Sequence, residues 1–341
     1  MSAASPIIAP EVVPVVHRSL EPVHIIGHGR SGTSNMVRLL RDYLRISFGT
    51  ESQFIIRFHQ NLASYGDLTV ESNRRRLVEH ICTERWFQRC YKRFRFTTTP
   101  DAILADIREF TYPGVLAATF RQLAKHFGLE RWGDKTPEYH HDLDVLLSLF
   151  PKAKFIHMVR DGRDVALSGF ETAFGEKNVY MAAVDWTTAM REACRFAETV
   201  PADQLIEIRY EDLLTQPTRE FNRLIEFLDI DDADGRLLAH IDATINDRLM
   251  LGNFNKWKQR LTPRQIARFD GVACDFLRRY GYECTAAEPA RRNWLSDGYW
   301  RLDSTFRNLL RADHLADNVY RARLRLTTAM RRLARPASPA H

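Results

Sequence analysis

The sequence predicts an α/β fold of the P-loop type, in which helices flank a central parallel sheet. Three short apolar runs support this prediction, and each is followed by a polar turn and an amphipathic stretch: Val23–Ile26, Lys154–Val159 and Leu205–Arg209. Runs of this size are typical of buried strands, and strands that alternate with helices favour a parallel sheet. With 341 residues, 45% of them hydrophobic, the chain is long enough to fill a large core.

The turn after the first run contains three glycines and a cation. It reads Gly27-His28-Gly29-Arg30-Ser31-Gly32-Thr33-Ser34, and a helical pattern follows it. A glycine-containing loop between a strand and a helix N-terminus points backbone N–H groups at an anion. Arg30 adds a fixed positive charge, and the three hydroxyl residues add donors. We interpret the loop as a phosphate cradle, because an arginine inside a ligand-free glycine turn has no packing role.

The same loop departs from the nucleotide-triphosphatase pattern at one position. Gly27 and Gly32 have the G-x-x-x-x-G spacing, but Thr33 stands where that motif requires lysine. Triphosphatases use this lysine on the β- and γ-phosphates. The substitution argues against ATP or GTP hydrolysis, and with no acidic metal pair in the sequence we expect no metal.

Two further residues, Glu51 and Lys135, are candidates for a functional site. Glu51 comes after a second predicted strand, Arg45–Phe48, where a carboxylate is placed for chemistry at the carboxyl edge of a sheet. The alternative is a neighbour of the N-cap of the next helix, where acids are favoured, and the residues alone do not decide. Lys135 lies in a predicted tight loop, Trp132–Pro137, before a predicted helix from 138 to 150. A cation at a helix start is unfavourable, which suggests an anion nearby; a surface lysine is the alternative.

A third pair of candidates follows the Lys154–Val159 run. Arg160 ends this predicted strand, and Ser168 lies eight residues further on, about two helical turns away. Both face one phosphate if the helix leans over the strand end.

Arg85–Arg95 mixes aromatic and basic residues, and we favour an amphipathic helix with a solvated basic face over an RNA-binding patch or a lid.

Composition limits the classes of protein. The net charge of +6 suits anionic ligands and does not by itself indicate nucleic acid. Five cysteines without C-x-x-C spacing argue against a disulfide framework or a zinc site and favour a reducing compartment. No apolar run approaches the roughly 18 residues of a transmembrane helix. We predict a flexible arm at 1–20, a main domain at 21–285 and a basic helical extension at 286–341.

Four blocks, in order, resemble the sulfotransferases that use 3′-phosphoadenosine 5′-phosphosulfate (PAPS). They are GRSGTS at Gly29–Ser34, FIHMVRDGRDVALS at Phe155–Ser168, RYEDLL at Arg209–Leu214 and NKWKQRLT at Asn255–Thr262. The similarity spans about Val23 to Glu283. It is closer to tyrosylprotein and bacterial sulfotransferases, because GTESQFIIR at Gly49–Arg57 resembles the stretch that carries their catalytic glutamate.

The resemblance implies a role for each candidate residue. It assigns Glu51 as general base, with Lys135 at the sulfate bridge and Arg30 as a catalytic cation. It assigns the donor PAPS, and its product adenosine 3′,5′-bisphosphate (PAP), to these residues: Gly29, Arg30, Ser31, Gly32, Thr33, Ser34, Arg160, Ser168, Tyr210 and Lys256.

The expected function is in-line sulfuryl transfer to a hydroxyl of a glycan, glycolipid, peptide or small molecule. The alternatives are a nucleotide-dependent kinase and a non-catalytic protein that binds PAP or nucleic acid; no nucleic-acid motif is present. Golgi enzymes of this type carry an anchor and this chain shows none, so we expect a cytoplasmic bacterial enzyme. The Arg-rich tail favours a packed helix over peripheral contact with an anionic membrane. A homodimer is left open.

Overall fold

The computed structural model describes residues 13–172, 175–286 and 294–309. Its strands are β1 (Val16–His17), β2 (Val23–Ile26), β3 (Ile46–Phe48), β4 (Arg131–Lys135), β5 (Lys154–Val159), β6 (Leu205–Arg209) and β7 (Ile230–Asp231). Its helices are α1 (Thr33–Leu44), α2 (Ile55–Gln60), α3 (Glu71–Cys82), α4 (Arg85–Phe94), α5 (Pro100–Ala105), α6 (Tyr112–His126), α7 (Leu143–Leu149), α8 (Gly162–Phe170), α9 (Val179–Ala197), α10 (Tyr210–Thr215), α11 (Pro217–Phe227), α12 (Arg236–Thr244), α13 (Trp257–Arg260), α14 (Pro263–Arg279) and α15 (Trp294–Leu309). Short 3₁₀ turns lie at Leu62–Tyr65, Pro137–His141 and Ile245–Arg248.

The chain forms two compact units, which we describe separately. Of the described residues, the first unit contains those up to 160 together with 189–253, and the second contains those of 161–188 and those from 254 onward. The predicted boundaries at 21, 285 and 286 stay predictions. Residues 1–12 of the predicted arm and 310–341 of the predicted extension, including its arginine-rich tail, lie outside the described residues.

The first unit is built on a five-stranded sheet whose order is β3-β4-β2-β5-β6. Every neighbouring pair of strands in this sheet is parallel, so the predicted parallel sheet is confirmed. In parallel strands the carboxyl ends meet at one edge. That edge therefore collects the glycine loop after β2, the segments that follow Phe48, Lys135 and Val159, and the start of α10 after Arg209.

A mainly helical layer between β3 and β4 packs against this sheet through aromatic side chains. Phe120 stacks on Phe54 at 6.1 Å and on Trp132 of β4 at 4.8 Å between ring centroids. Trp86 of α4 meets Phe120 edge-on at 5.5 Å. Burial of these large apolar surfaces fixes α4 and α6 beside the sheet.

The segment around Lys135 differs from its prediction. The polar loop predicted at Trp132–Pro137 is largely strand β4, which lies between β3 and β2. Gly133 permits this, because a Cβ there would come within 2.4 Å of Val23 O. The helix predicted at 138–150 is a 3₁₀ turn followed by α7. Polar composition misled the prediction, since the polar side chains of β4 find partners inside the fold.

The last residues of the predicted flexible arm are ordered in the structure. Val16–His17 pairs antiparallel with β7, and Arg18 N donates to Asp229 O at 2.8 Å. Arg131 is fully buried nearby and donates to Glu21 O and Leu228 O. A strand of only two residues leaves little signal in the sequence, and the extent of the arm, 1–20, stays a prediction.

The second unit has a buried charge cluster at its centre. Arg163 of α8 pairs with Asp161 at 2.8 Å and with Asp270 of α14 at 3.2 Å, and its guanidinium lies 3.6 Å from the centroid of the Trp257 ring. Cys274 and Cys284 form a disulfide, contrary to the expectation drawn from the odd cysteine count. The two cysteines are ten residues apart, and they come together because the chain turns back after α14. Their spacing in the sequence did not indicate this.

Candidate active site

The glycine loop after β2 is packed against its neighbours so closely that two of its positions require glycine. Gly27 has φ 136°, and a Cβ there would lie 2.6 Å from Met158 O. Gly32 has φ 90°, and a Cβ there would lie 2.3 Å from the Tyr210 ring. Both positions combine the left-handed region with close approach, the two conditions that favour glycine.

Three features of this loop fit an anionic group. The Ser31 Oγ is buried and has no hydrogen-bond partner among the described residues. Gly32 is the N-cap of α1, whose first turn has neither a side-chain cap nor an acidic residue. The Arg30 side chain is exposed at the loop tip. Unpaired N–H groups at a helix N-terminus and an orphaned hydroxyl are the donors that a phosphate or sulfate accepts from.

Arg160 lies beneath the glycine loop. Its Nη1 donates to Arg30 O at 3.0 Å and its Nη2 to Asn253 O at 2.8 Å. The guanidinium carbon lies 4.6 Å from the centroid of the Tyr210 ring, and Asn253 Nδ2 donates to Tyr210 Oη at 2.9 Å. The structure thus brings Arg160 and Tyr210 together with the loop. Asn253 is a member of this group that the sequence did not reveal.

Glu51 and Lys135 meet at the same edge of the sheet. Lys135 Nζ donates to Glu51 Oε1 at 2.6 Å, and the side chain of the lysine is 12% exposed against 33% for the glutamate. Glu51 follows β3 and Lys135 ends the neighbouring strand β4. The N-cap of α2 is Phe54, three residues after Glu51, so the alternative interpretation of this acid as an N-cap neighbour does not hold.

Helix α4 holds the backbone of the loop that carries Glu51. Trp86 Nε1 donates to Thr50 O at 2.9 Å, and Arg89 Nη2 donates to Glu51 O at 2.6 Å. Arg89 Nη1 also reaches Gln53 Oε1 at 3.2 Å, and Gln53 has φ 57°. The predicted amphipathic helix therefore also supports the site. Trp86 and Cys90, four residues apart and both buried, form the inward face of this helix.

A buried polar network lies behind the ion pair. Ser52 N donates to Thr136 Oγ1 at 2.9 Å, and Thr136 Oγ1 donates to Asp134 Oδ2 at 3.0 Å. Ser52 Oγ lies 2.9 Å from Tyr139 Oη, which accepts from Ile55 N at 3.0 Å. Burial raises the pKa of the Asp134 carboxyl to about 7, against the weaker lowering effect of its hydrogen bonds. The Thr136 side chain thus belongs to this network and makes no capping hydrogen bond to the 3₁₀ turn that follows it.

The remaining predicted residues belong to the second unit. Ser168 lies in α8, and Lys256 immediately precedes α13. Trp257 N, next to Lys256, donates to Asp164 Oδ1 at 3.0 Å, which fixes the start of α13 on α8. Their roles in binding a nucleotide stay predictions.

The described residues contain neither a cluster of metal ligands nor a membrane-spanning helix. Within it, no three histidine, cysteine, aspartate or glutamate side chains are grouped as a metal site. Nor does any helix among the described residues have the length and apolar character needed to cross a membrane.

A parallel sheet with a glycine loop at its carboxyl edge places this protein in the P-loop-like fold class. Residues 22–234 match the family model described as "Sulfotransferase family", and the chain belongs to that family. The family resemblance seen in the sequence is confirmed.

Curated relatives carry the same family name with different acceptors. The chain is 28% identical to protein-tyrosine sulfotransferase A of Caenorhabditis elegans, over 42% of this chain and 43% of the relative. It is also 28% identical to omega-hydroxy-beta-dihydromenaquinone-9 sulfotransferase Stf3 of Mycobacterium tuberculosis, over 46% of this chain and 42% of the relative. The chain thus spans less than half the length of these two proteins.

A solved structure shows the same fold. The sulfotransferase domain from the curacin biosynthetic pathway has a TM-score of 0.52 and 17% identity, covering 78% of this chain and 99% of that domain.

Proposed function

We propose that this protein transfers the sulfuryl group of PAPS to the hydroxyl group of an acceptor. The observation that carries the proposal is the Glu51–Lys135 pair, 2.6 Å apart at the sheet edge that also holds the glycine loop. Membership of the Sulfotransferase family supports the type of reaction.

The residues of the glycine loop would hold the phosphosulfate end of the donor. The loop supplies the Ser31 hydroxyl, the N-terminus of α1 and the Arg30 cation, all suited to an anion. Arg160, beneath the loop, is proposed for the 3′-phosphate, and Tyr210 for the nucleotide. The corresponding roles of Ser168 and Lys256 come from the sequence resemblance alone.

Glu51 is proposed as the general base. It would accept the proton of the acceptor hydroxyl as that oxygen forms its bond to sulfur. The bond between sulfur and the bridging phosphate oxygen breaks, and this oxygen keeps the electron pair and leaves on PAP. Lys135 and Arg30 would stabilise the negative charge that builds there. A lysine ammonium has three donors, so Lys135 can contact Glu51 and a second anionic oxygen together.

The acceptor class is proposed only as a hydroxyl compound. The names of two relatives place protein tyrosine and a hydroxylated menaquinone among the acceptors of those proteins. A glycan, glycolipid, peptide or small molecule is compatible with the site. A cytoplasmic location, a homodimer and peripheral membrane contact stay predictions, and the Cys274–Cys284 disulfide weighs against a reducing compartment.

The rival functions make different predictions about nucleotides. A kinase would prefer ADP or ATP with Mg²⁺, although Thr33 replaces the lysine that such enzymes use. A non-catalytic binder would hold PAP and never turn over PAPS, although it would have no need of the Glu51–Lys135 pair.

Calorimetry with PAP, ADP and ATP, combined with PAPS turnover in the presence of EDTA, separates these functions. We expect PAP to bind most tightly and turnover to survive EDTA. Tighter binding of ATP with Mg²⁺, and activity that only Mg²⁺ restores, would establish the kinase alternative. PAP binding without any PAPS turnover would establish the non-catalytic one.

A further inference from the structure

Thr136 joins two loops that are far apart in the sequence. Its Oγ1 accepts from Ser52 N at 2.9 Å and lies 3.2 Å from Ser52 Oγ, across 84 residues of chain. Ser52 directly follows Glu51, and Thr136 directly follows Lys135. The Ser52–Thr136 hydrogen bonds therefore join the two segments one residue away from each of the proposed reacting side chains, Glu51 and Lys135.

The direction of the hydrogen bonds follows from the donors available. Tyr139 Oη accepts from Ile55 N, so its single hydrogen is available to Ser52 Oγ. The backbone N–H of Ser52 can only donate, and it does so to Thr136 Oγ1. The Thr136 hydrogen then goes to Asp134 Oδ2. The chain of donors thus ends on one buried carboxylate, since only 3% of Asp134 is exposed.

The need for such a tie is geometric. Glu51 lies in the loop after β3, and Lys135 is the last residue of β4, where it pairs with Ile25 of β2. Catalysis requires the two side chains to keep their relative position to within a fraction of an ångström, so a direct link between the two segments matters. On the Glu51 side, Trp86 and Arg89 hold the backbone from α4. Besides the Glu51–Lys135 contact itself, Ser52 bonds to Thr136 and Tyr139, and Ile55 N bonds to Tyr139 Oη. These bonds link the Glu51 loop to the segment that carries Lys135.

We propose that Thr136 is a positioning residue, whose hydroxyl holds Glu51 and Lys135 in register for the transfer step. The proposal rests on the proposed function, because it concerns the same base and cation. Thr136 accepts from one loop and donates to the buried Asp134, and only a hydroxyl side chain of this size does both. Valine has nearly the same shape and does neither.

The test compares Thr136→Val with Thr136→Ser in the full chain. We expect Thr136→Val to lower kcat for PAPS turnover by about 10- to 100-fold, because misplacement of the reacting groups acts on the rate. The KM for PAPS and the Kd for PAP should stay within about twofold of the values for the unmodified protein, because Thr136 does not belong to the glycine loop. Thr136→Ser keeps the hydroxyl and should recover kcat to within about threefold of the unmodified protein.

Thr119→Val is the matched control. Thr119 is also fully buried and donates its hydroxyl hydrogen, but to Val115 O within α6. It should leave kcat within about twofold. A normal kcat in Thr136→Val, or a serine variant as slow as the valine variant, would overturn the proposal.

Hydrogen exchange gives a readout that does not depend on turnover. In Thr136→Val, the amides of residues 50–55 should exchange at least about tenfold faster than in the unmodified protein, while Thr136→Ser keeps them protected. Unchanged exchange in the valine variant contradicts the tie, whatever the activity. If the unmodified protein binds PAP but never turns over PAPS, the proposed function fails and the exchange experiment still decides whether the tie exists.

Ser52→Ala covers the case in which Thr136→Val does not fold. It removes the Ser52 Oγ contacts and keeps the backbone donor to Thr136. We then expect a smaller loss of kcat, about three- to tenfold, with PAP affinity unchanged. No loss of kcat in this variant would count against the network.

Discussion

Lys135 Nζ donates to Glu51 Oε1 at 2.6 Å, although 84 residues separate the two in the chain. The contact forms because β3 and β4 are neighbours in the sheet and both end at its carboxyl edge. It places a candidate base and a candidate stabilising cation side by side. The first two predictions concern this pair.

Replacing Glu51 by glutamine keeps its size and polarity and removes its ability to accept a proton. We expect kcat for sulfuryl transfer to fall by about 10²- to 10⁴-fold, the usual loss for a general base. PAP affinity should hardly change, because the carboxylate is assigned to the acceptor. Glu79→Gln, an exposed glutamate of α3, is the control. Near-normal transfer in Glu51→Gln would remove Glu51 from the mechanism.

Replacing Lys135 by methionine removes the charge and keeps most of the side-chain volume. We expect kcat to fall by about 10²- to 10³-fold, comparable to the loss of one preorganised donor at a developing negative charge. Lys135→Arg keeps the charge with altered geometry and should be intermediate. Steady-state kinetics would show the effect in kcat. A change confined to the Kd for PAP would show that the lysine only binds the nucleotide.

Arg160→Ala tests the proposed 3′-phosphate contact by comparing PAP with AMP. Both should bind more weakly, because Arg160 also supports the glycine loop through Arg30 O. PAP should lose a further 1.5–3 kcal/mol or so, roughly the typical worth of a charge-assisted contact. Arg236→Ala, whose side chain is exposed, is the calorimetric control. Equal losses for the two nucleotides would contradict the assignment.

Asp134 should make stability depend on pH. Burial raises the pKa of the Asp134 carboxyl from the ordinary value of 3.8 to about 7. The ionisable groups near this carboxyl are Lys135, Glu51, Tyr139 and Cys90. Between these values the folded state keeps a proton that the unfolded state has lost. The shifted pKa of Asp134 therefore adds its full contribution to the free energy of unfolding below about pH 4, and this contribution declines as the pH rises towards 7.

Asp134→Asn should flatten this dependence, because the amide does not titrate. We expect the difference in the pH slope to integrate to a few kcal/mol, because each pH unit between the unfolded and folded pKa values is worth about 1.4 kcal/mol. Chemical denaturation across the range from acidic to mildly basic pH measures it, with the exposed Asp101→Asn as control. Identical slopes for the Asp134 variant and the unmodified protein would show that the carboxyl titrates normally.

Features whose signals are local in the chain could be predicted from the sequence. The strands β2, β3, β5 and β6 were predicted from short apolar runs, and the anion loop from glycines and Arg30 within a few residues of each other. The positions of Glu51 and Arg160 followed from the strands that precede them, because parallel strands end at a common edge. These properties depend on neighbours along the chain, and they were enough to indicate the family.

Features that depend on partners far along the chain became visible only in the folded molecule. Strand β4 was hidden because its polar side chains suggested a loop, and some of their partners lie far along the chain, such as the Leu228 carbonyl that accepts from Arg131. Trp86 and Arg89 support the Glu51 loop only because α4 packs beside it. The Ser52–Thr136–Asp134 network exists only because the sheet order makes β3 and β4 neighbours. A hydrogen bond is specified by the meeting of two groups in space, and a local sequence pattern records only one of them.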